Sequence, residues 1–181
     1  MKVERQSPEV VLVLGGARSG KSDWGRRYVE NRYQKLLFLA TARAGDAEME
    51  ERIARHRRER GPEWSLVEEP VEIAAVLSDP GRRPGTGAVL VDCLTMWLTN
   101  IVLAEGEAAV ERRTGELLAV LREPSCPVVL VANEVGMGIV PEHELGRSFR
   151  DAAGRLNQQV AAVARRVVLV VAGLALDLKN E

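Results

Sequence analysis

The stretch Gly15-Gly16-Ala17-Arg18-Ser19-Gly20-Lys21-Ser22 decides the fold of this 181-residue chain. It follows an apolar, β-branched run at residues 10–14 and precedes a helical pattern at residues 23–30. A strand, a glycine loop and a Gly-Lys-Ser that opens a helix are the context in which G-x-x-x-x-G-K-[ST] forms a phosphate-binding loop. Glycines let successive backbone N–H groups point inward, and the helix N-terminus adds unpaired donors. The sequence therefore predicts a site for a nucleoside triphosphate.

Three side chains are expected to serve the phosphates, either directly or through Mg²⁺. Lys21 would reach the β- and γ-phosphates, and the Ser22 hydroxyl would ligate Mg²⁺. Asp92 closes an apolar run and is favoured as the second Mg²⁺ partner, because an acid at a strand end fills this role in such folds. The alternative is that Asp92 caps the helix after it, and Glu134 is a weaker second candidate for the metal.

Apolar strands alternate with helical patterns along the rest of the chain. Strands are predicted at 35–40, 64–68, 88–92, 128–132 and 167–172, and helices at 46–60, 71–77, 94–104, 107–122 and 142–166. A short edge strand follows Gly173, and residues 79–87 form an exposed loop. This alternation predicts an α/β fold in one domain, residues 1–181, with a mostly parallel sheet covered by helices on both faces. Loops at the carboxyl ends of the strands, at 41–45, 92–95 and 133–141, would then surround the ligand.

Composition excludes several kinds of partner. Lys and Arg total 25 against 26 Asp and Glu, for a net charge of −1, so no global field favours nucleic acid. The chain shows no signal-peptide core and no apolar stretch of transmembrane length, which favours a cytoplasmic location. Cys93 and Cys126 lack metal-ligand or redox spacing, and Cys93, directly after a strand end, is predicted to be a small buried thiol rather than half of a disulfide.

The chain has two histidines, His56 and His143. His143 lies near a helix start and is expected at the surface. His56 lies in an arginine-rich helix, and its pattern alone favours a structural or exposed side chain over a nucleophile. The arginines around it could neutralise phosphates if that helix faces the site.

The sequence disfavours a molecular switch of the Ras type. Such a protein would carry N-K-x-D after a late strand, where this chain has Asn133-Glu134-Val135-Gly136. Its D-x-x-G, at Asp151 to Gly154, falls within a predicted helix. The residues leave two classes open: a simple kinase of a small hydroxylated metabolite, and a nucleotide-dependent regulatory or assembly protein.

Six stretches together resemble one known family. They are Gly15 to Ser22, Ala40-Thr41-Ala42, Arg52-Ile53-Ala54-Arg55-His56, Val91-Asp92-Cys93-Leu94-Thr95, Asn133-Glu134-Val135-Gly136-Met137-Gly138-Ile139-Val140-Pro141 and Phe149-Arg150-Asp151-Ala152-Ala153-Gly154-Arg155-Leu156-Asn157-Gln158. The family is the bifunctional adenosylcobinamide kinase / adenosylcobinamide-phosphate guanylyltransferase of cobalamin biosynthesis. The phosphate loop is common to many NTPases, whereas the loop after Ala132 and the G-R-x-N-Q stretch are specific to this family.

The resemblance implies two reactions on one substrate. ATP or GTP phosphorylates adenosylcobinamide, and GTP then transfers GMP to an enzyme histidine and from there to the cobinamide phosphate. By position His56 is the guanylylated residue, which reverses the interpretation from pattern alone. Lys21 is the other residue expected to be catalytic. The resemblance also implies Mg²⁺, a RecA-like P-loop sheet and a homotrimer. The implied nucleotide-binding residues are Gly15, Gly16, Ala17, Arg18, Ser19, Gly20, Lys21, Ser22, Ala40, Thr41, Ala42, Arg57, Arg58, Glu59, Arg60, Glu68 and Asp92.

Overall fold

The computed structural model describes residues 8–42 and 61–181. The helix predicted at 46–60, with His56 and residues 57–60, lies outside these ranges. Within them, the strands end close to where the sequence predicts, because each is a continuous apolar run bounded by polar or turn residues.

Seven strands form one sheet in the order β3-β2-β4-β5-β1-β6-β7. They are β1 (Val10–Gly15), β2 (Leu36–Ala40), β3 (Trp64–Glu68), β4 (Ala88–Asp92), β5 (Val128–Asn133), β6 (Arg166–Val171) and β7 (Leu174–Asn180). The first six pair in parallel, and β7 runs antiparallel to β6 at the edge. The predicted mostly parallel α/β sheet and its edge strand are confirmed.

Helices pack on both faces of this sheet. They are α1 (Lys21–Glu30), α2 (Ile73–Ser78), α3 (Leu94–Glu105), α4 (Ala109–Arg122) and α5 (Glu144–Val163). Along β1, Val11 and Val13 point to one face and join Tyr28 and Val29 of α1. Leu12 points to the other face, where side chains of α2 to α5 bury it. Since alternate residues of a strand face opposite sides, an all-apolar β1 requires both layers.

Two predictions about individual segments are wrong. The helix predicted at 142–166 spans Glu144–Val163, because Ala164 adopts an extended backbone and Arg166 already begins β6. Residues 79–87 are not exposed throughout, since Arg83 is only 6% exposed. Its guanidinium donates to the Leu77 carbonyl and to Cys126 Sγ, which ties the loop to the core.

The prediction that Cys93 is a buried free thiol is confirmed, and Cys126 is also buried and free. Among the residues that the structure describes, no helix is long and apolar enough to cross a membrane.

Candidate nucleotide site

The phosphate loop leaves β1 at Gly15 and enters α1 through Gly20. Gly20 has a φ of 95° and serves as the N-cap of α1 without a side-chain hydrogen bond to the helix. A left-handed backbone at this point is readily adopted by glycine and not by residues with a Cβ. The first N–H groups of a helix lack partners within the helix. Because no side chain caps α1, these donors are available to an anion.

Gly15 is required by close packing rather than by its φ. A Cβ at Gly15 would lie 2.6 Å from the carbonyl oxygen of Val170 in β6 and would also collide with Ser19 Oγ. By contrast, a Cβ at Gly16 would meet nothing within 4 Å. Ser19 Oγ is buried, and it has no hydrogen-bond partner among the described residues. The loop therefore folds tightly over its own serine and against β6.

Lys21 closes over this loop from its helical end. The residue is 7% exposed, and its Nζ donates to the Gly16 carbonyl at 3.0 Å. The ammonium group of Lys21 thus lies beside Gly16, five residues earlier in the chain, in the turn that phosphates would enter. Ser22, the next residue of α1, is half-buried.

Asp92 stands at the carboxyl end of β4, which β5 separates from β1. It is half-buried, and its carboxylate makes no hydrogen bond or ion pair with any described residue. The N-cap of α3 is Cys93, with no side-chain cap, so the structure does not show the capping role considered for Asp92.

The Cys93 thiol reports the charges around it. Burial, with a smaller contribution from the Asp92 carboxylate, raises the pKa of this thiol to about 11, and Lys21 acts in the opposite direction. The thiol is therefore protonated at neutral pH and is not a nucleophile. Asp92 and Lys21 both act on this one thiol, so the end of β4 and the start of α1 lie on the same side of the sheet.

A carboxylate with no hydrogen-bond or ion-pair partner among the described residues and a serine hydroxyl at the start of α1 are oxygen ligands of the kind that Mg²⁺ prefers. Asp92 and Ser22 therefore fit the ion chemically. In the described part of the chain, no group of three or more His, Cys, Asp or Glu side chains could hold a metal by itself. The remaining ligands would have to come from water and phosphate, as is usual for Mg²⁺.

Thr41 ties β2 to β4 beside this site. Its hydroxyl donates to the Cys93 carbonyl and accepts from the Cys93 N–H, both at 2.8 Å. Its own carbonyl accepts from Asn100 Nδ2 at 2.7 Å. Since Thr41 is fully buried, its side chain acts on the site by holding the backbone that follows Asp92.

Residues 40–42 and Glu68 lie along the same sheet edge, farther from the loop. Ala40 pairs with Asp92 on one side and with Glu68 on the other. With adjacent strands about 4.8 Å apart, the end of β2 is about 14 Å from β1 and the end of β3 about 19 Å. The predicted nucleotide residues that the structure describes thus extend from β1 to β3 along the carboxyl-terminal ends of the strands.

Three polar side chains that sequence reasoning did not single out hold the loop after β5. Thr95 Oγ1 accepts from the Asn133 N–H at 2.7 Å, and Asn157 Nδ2 donates to the Asn133 carbonyl at 3.3 Å. Arg150 donates to the Gly136 carbonyl. All three fall within the stretches that carry the family resemblance, which was the signal available.

Glu134, the weaker metal candidate, uses its carboxylate for a hydrogen bond within its own loop. Its N–H donates to the Gly15 carbonyl at 3.0 Å, and its Oε1 accepts from the Gly136 N–H at 2.6 Å. His143 is exposed, as predicted, and precedes the first residue of α5. His56, Arg57, Arg58, Glu59 and Arg60 lie outside the described residues.

The chain is similar in sequence to curated proteins of adenosylcobalamin biosynthesis. The bifunctional adenosylcobalamin biosynthesis protein CobP of Pseudomonas aeruginosa is 43% identical over 173 residues, which cover 94% of this chain and 97% of that protein. CobU of Escherichia coli, with the same bifunctional description, is 39% identical over 94% of this chain and 99% of its own length.

Solved structures support the fold alone. An ATPase from a bacterial type III secretion system superposes with a TM-score of 0.59 at 10% identity, over 93% of this chain and 56% of that one. A Pyrococcus horikoshii protein gives 0.54 at 9% identity, over 95% and 86%. The fold is that of P-loop NTPases.

A family model described as cobinamide kinase / cobinamide phosphate guanyltransferase matches residues 11–178. With a match of this length and relatives near 40% identity, the chain belongs to the cobinamide kinase / cobinamide phosphate guanyltransferase family.

Proposed function

We propose that this chain phosphorylates adenosylcobinamide and then converts the product into adenosylcobinamide-GDP through a GMP adduct on His56. The observation that carries the proposal is the phosphate loop, which has an uncapped helix N-terminus and a buried lysine folded across it. The description of the family supplies the substrate and the two activities, and the curated relatives are named as bifunctional proteins of adenosylcobalamin biosynthesis.

In the kinase step, loop N–H groups and Lys21 hold the triphosphate. The hydroxyl of the aminopropanol arm attacks the γ-phosphorus, the bond to the β,γ-bridging oxygen breaks, and the hydroxyl proton leaves. A positioned cation favours this step because negative charge spreads over the phosphoryl oxygens as the transfer proceeds. Ser22 and Asp92 would hold Mg²⁺, which when bound neutralises charge on the β- and γ-phosphates.

In the guanylyl step, an imidazole nitrogen of His56 attacks the α-phosphorus of GTP and pyrophosphate leaves. An oxygen of the cobinamide phosphate then attacks the same phosphorus, and the imidazole departs. Covalent catalysis divides one difficult transfer into two easier ones. An ordinary histidine pKa of about 6.5 leaves a large neutral, nucleophilic fraction at pH 7.

The positions of the carboxyl-terminal strand ends also suggest how GTP lies in this step. With its phosphates at the loop, its guanosine would extend toward Ala40–Ala42 and Glu68, the strand ends about 14 to 19 Å away. The arginines at 57, 58 and 60 would neutralise phosphate oxygens near His56. From the same resemblance we propose a cytoplasmic homotrimer.

GTP labelled at the α-phosphate tests the covalent step directly. The wild-type protein should retain GMP in a bond that acid cleaves and alkali spares, as expected for a phosphoramidate. His56→Ala should lose the label and the guanylyl transfer while still phosphorylating adenosylcobinamide, because direct transfer to a substrate hydroxyl needs no enzyme nucleophile. His143→Ala, with an exposed histidine removed, is the matched control and should label normally.

Undiminished label on folded His56→Ala, or a peptide map that places GMP elsewhere, would refute the assignment. A phosphorylated small molecule with no covalent label would support a simple kinase instead. If neither product formed, the result would support a regulatory nucleotide-binding protein.

A further inference from the structure

The turn between β6 and β7 touches the phosphate loop, although about 150 residues of chain separate them. The Gly173 N–H donates to the Ser19 carbonyl at 2.8 Å. A Cβ added at Gly20 would lie 3.3 Å from Gly173 Cα. The hairpin therefore meets the loop next to the residue that starts α1.

The conformation of this turn is one that few residues adopt. Val171 pairs with Leu174, so two residues make the connection, and both have positive φ, 51° at Ala172 and 79° at Gly173. Two successive positive φ values define the type I′ turn, which suits the twist of a two-residue hairpin. This geometry is what aims the Gly173 N–H at Ser19.

The base of the hairpin is fastened independently of its tip. Arg166 of β6 makes a bidentate ion pair with Asp177 of β7, with N···O distances of 2.7 and 3.0 Å. The Arg166 guanidinium also lies 5.4 Å from the ring centroids of Trp24 and Tyr28 on α1. The hairpin thus contacts α1 at its base and the loop before α1 at its tip.

Ser19 is the point at which such a contact matters. A hydrogen bond to its carbonyl fixes the peptide unit between Ser19 and Gly20, so it also fixes the direction of the Gly20 N–H. On the other side of the loop, the Val170 carbonyl of the same hairpin crowds Gly15. Both ends of the loop are therefore shaped by β6 and the turn after it.

We propose that the β6–β7 turn is a positioning element for nucleotide binding, and that it acts through the Gly173 N–H···O=C Ser19 hydrogen bond. The proposal rests on the assignment of the phosphate loop under Proposed function. It adds a residue far along the chain that sets the direction of a loop amide.

Gly173→Val tests this, because a β-branched residue is least able to keep a positive φ. The matched control is Gly85→Val, since Gly85 also has a positive φ, 67°, and a Cβ at either glycine meets nothing within 4 Å. Relative to this control, Gly173→Val should raise the Kd for GTP about three- to tenfold, the effect of one hydrogen bond. The KM for adenosylcobinamide should be unchanged. Gly173→Asn should restore wild-type binding, because asparagine tolerates positive φ.

Equal GTP affinity in Gly173→Val and Gly85→Val would overturn the proposal, as would equal losses in the valine and asparagine variants at position 173. Should either valine variant fail to fold, the alanine variants at both positions replace the pair. Lys21→Ala, measured in parallel, tests the assignment of the phosphate loop separately from the role of the turn. Normal GTP binding in Lys21→Ala would refute the phosphate loop itself, whereas loss in Lys21→Ala alone would refute only the role of the turn.

Discussion

Replacing Gly15 by alanine should destabilise the fold by an amount that the structure sets. The new methyl group would lie 2.6 Å from the Val170 carbonyl oxygen and would collide with Ser19 Oγ. Ordinary C···O contacts are about 3.3–3.6 Å, so the carbonyl must retreat by close to 1 Å. The Ser19 side chain can rotate away, but Val170 is paired with Gly15 on one side and Ala175 on the other.

Overpacking of this kind costs about 1–3 kcal/mol. For a domain of this size, each kcal/mol lowers Tm by about 2–4 °C, so we expect a fall of about 4–8 °C for a central value near 2 kcal/mol. Thermal unfolding followed by circular dichroism, without nucleotide, measures it. Gly16→Ala is the stability control, because its Cβ would meet nothing within 4 Å. If Gly15→Ala melts with Gly16→Ala and the wild type, the packing argument is wrong.

Two further substitutions address the charges of the site. Lys21→Ala should lower kcat/KM about 10²- to 10³-fold in both the kinase and the guanylyltransferase assay, as expected when a preorganised charge contact to phosphate is lost; full kinase activity would remove the phosphate loop from the mechanism. Asp92→Asn should lower turnover about 10- to 100-fold at fixed Mg²⁺, the loss seen when support for a metal is weakened. Its Tm should change little, because the carboxylate makes no hydrogen bond or ion pair with the described residues; a large shift in Tm with unchanged activity per folded molecule would assign Asp92 to structure.

The strands could be predicted from the sequence because their signal is local. β3 and β4 span the predicted residues, and β7 follows Gly173 as expected. The end of α5 could not be placed in the same way. No glycine or proline marks it, and the apolar residues before and after Arg166 suit a helix as well as a buried strand. Pairing of β6 with β1 decides the boundary.

The contacts that shape the site were beyond local reasoning. Thr41 and Cys93 link the ends of β2 and β4 across 52 residues, and Asn157 of α5 donates to Asn133 at the end of β5. A sequence shows that a threonine or an asparagine is present, but only the sheet order brings each to its partner. The structure describes the positions of the loop residues and Asp92 but not that of His56, and the roles of all of these residues stay predictions.

The glycines of the phosphate loop show why its pattern is such a strong predictor. Gly15 is excluded from bearing a side chain by Val170 and Ser19, and Gly20 by its positive φ and by Gly173. Both reasons come from the fold, before any ligand is considered. Gly16, one of the unspecified positions of G-x-x-x-x-G-K-[ST], has open space where its Cβ would be. The two glycines that the pattern specifies are therefore required by the contacts of the loop with β6 and the turn after it. The lysine and serine that follow them are predicted to serve the phosphates and Mg²⁺.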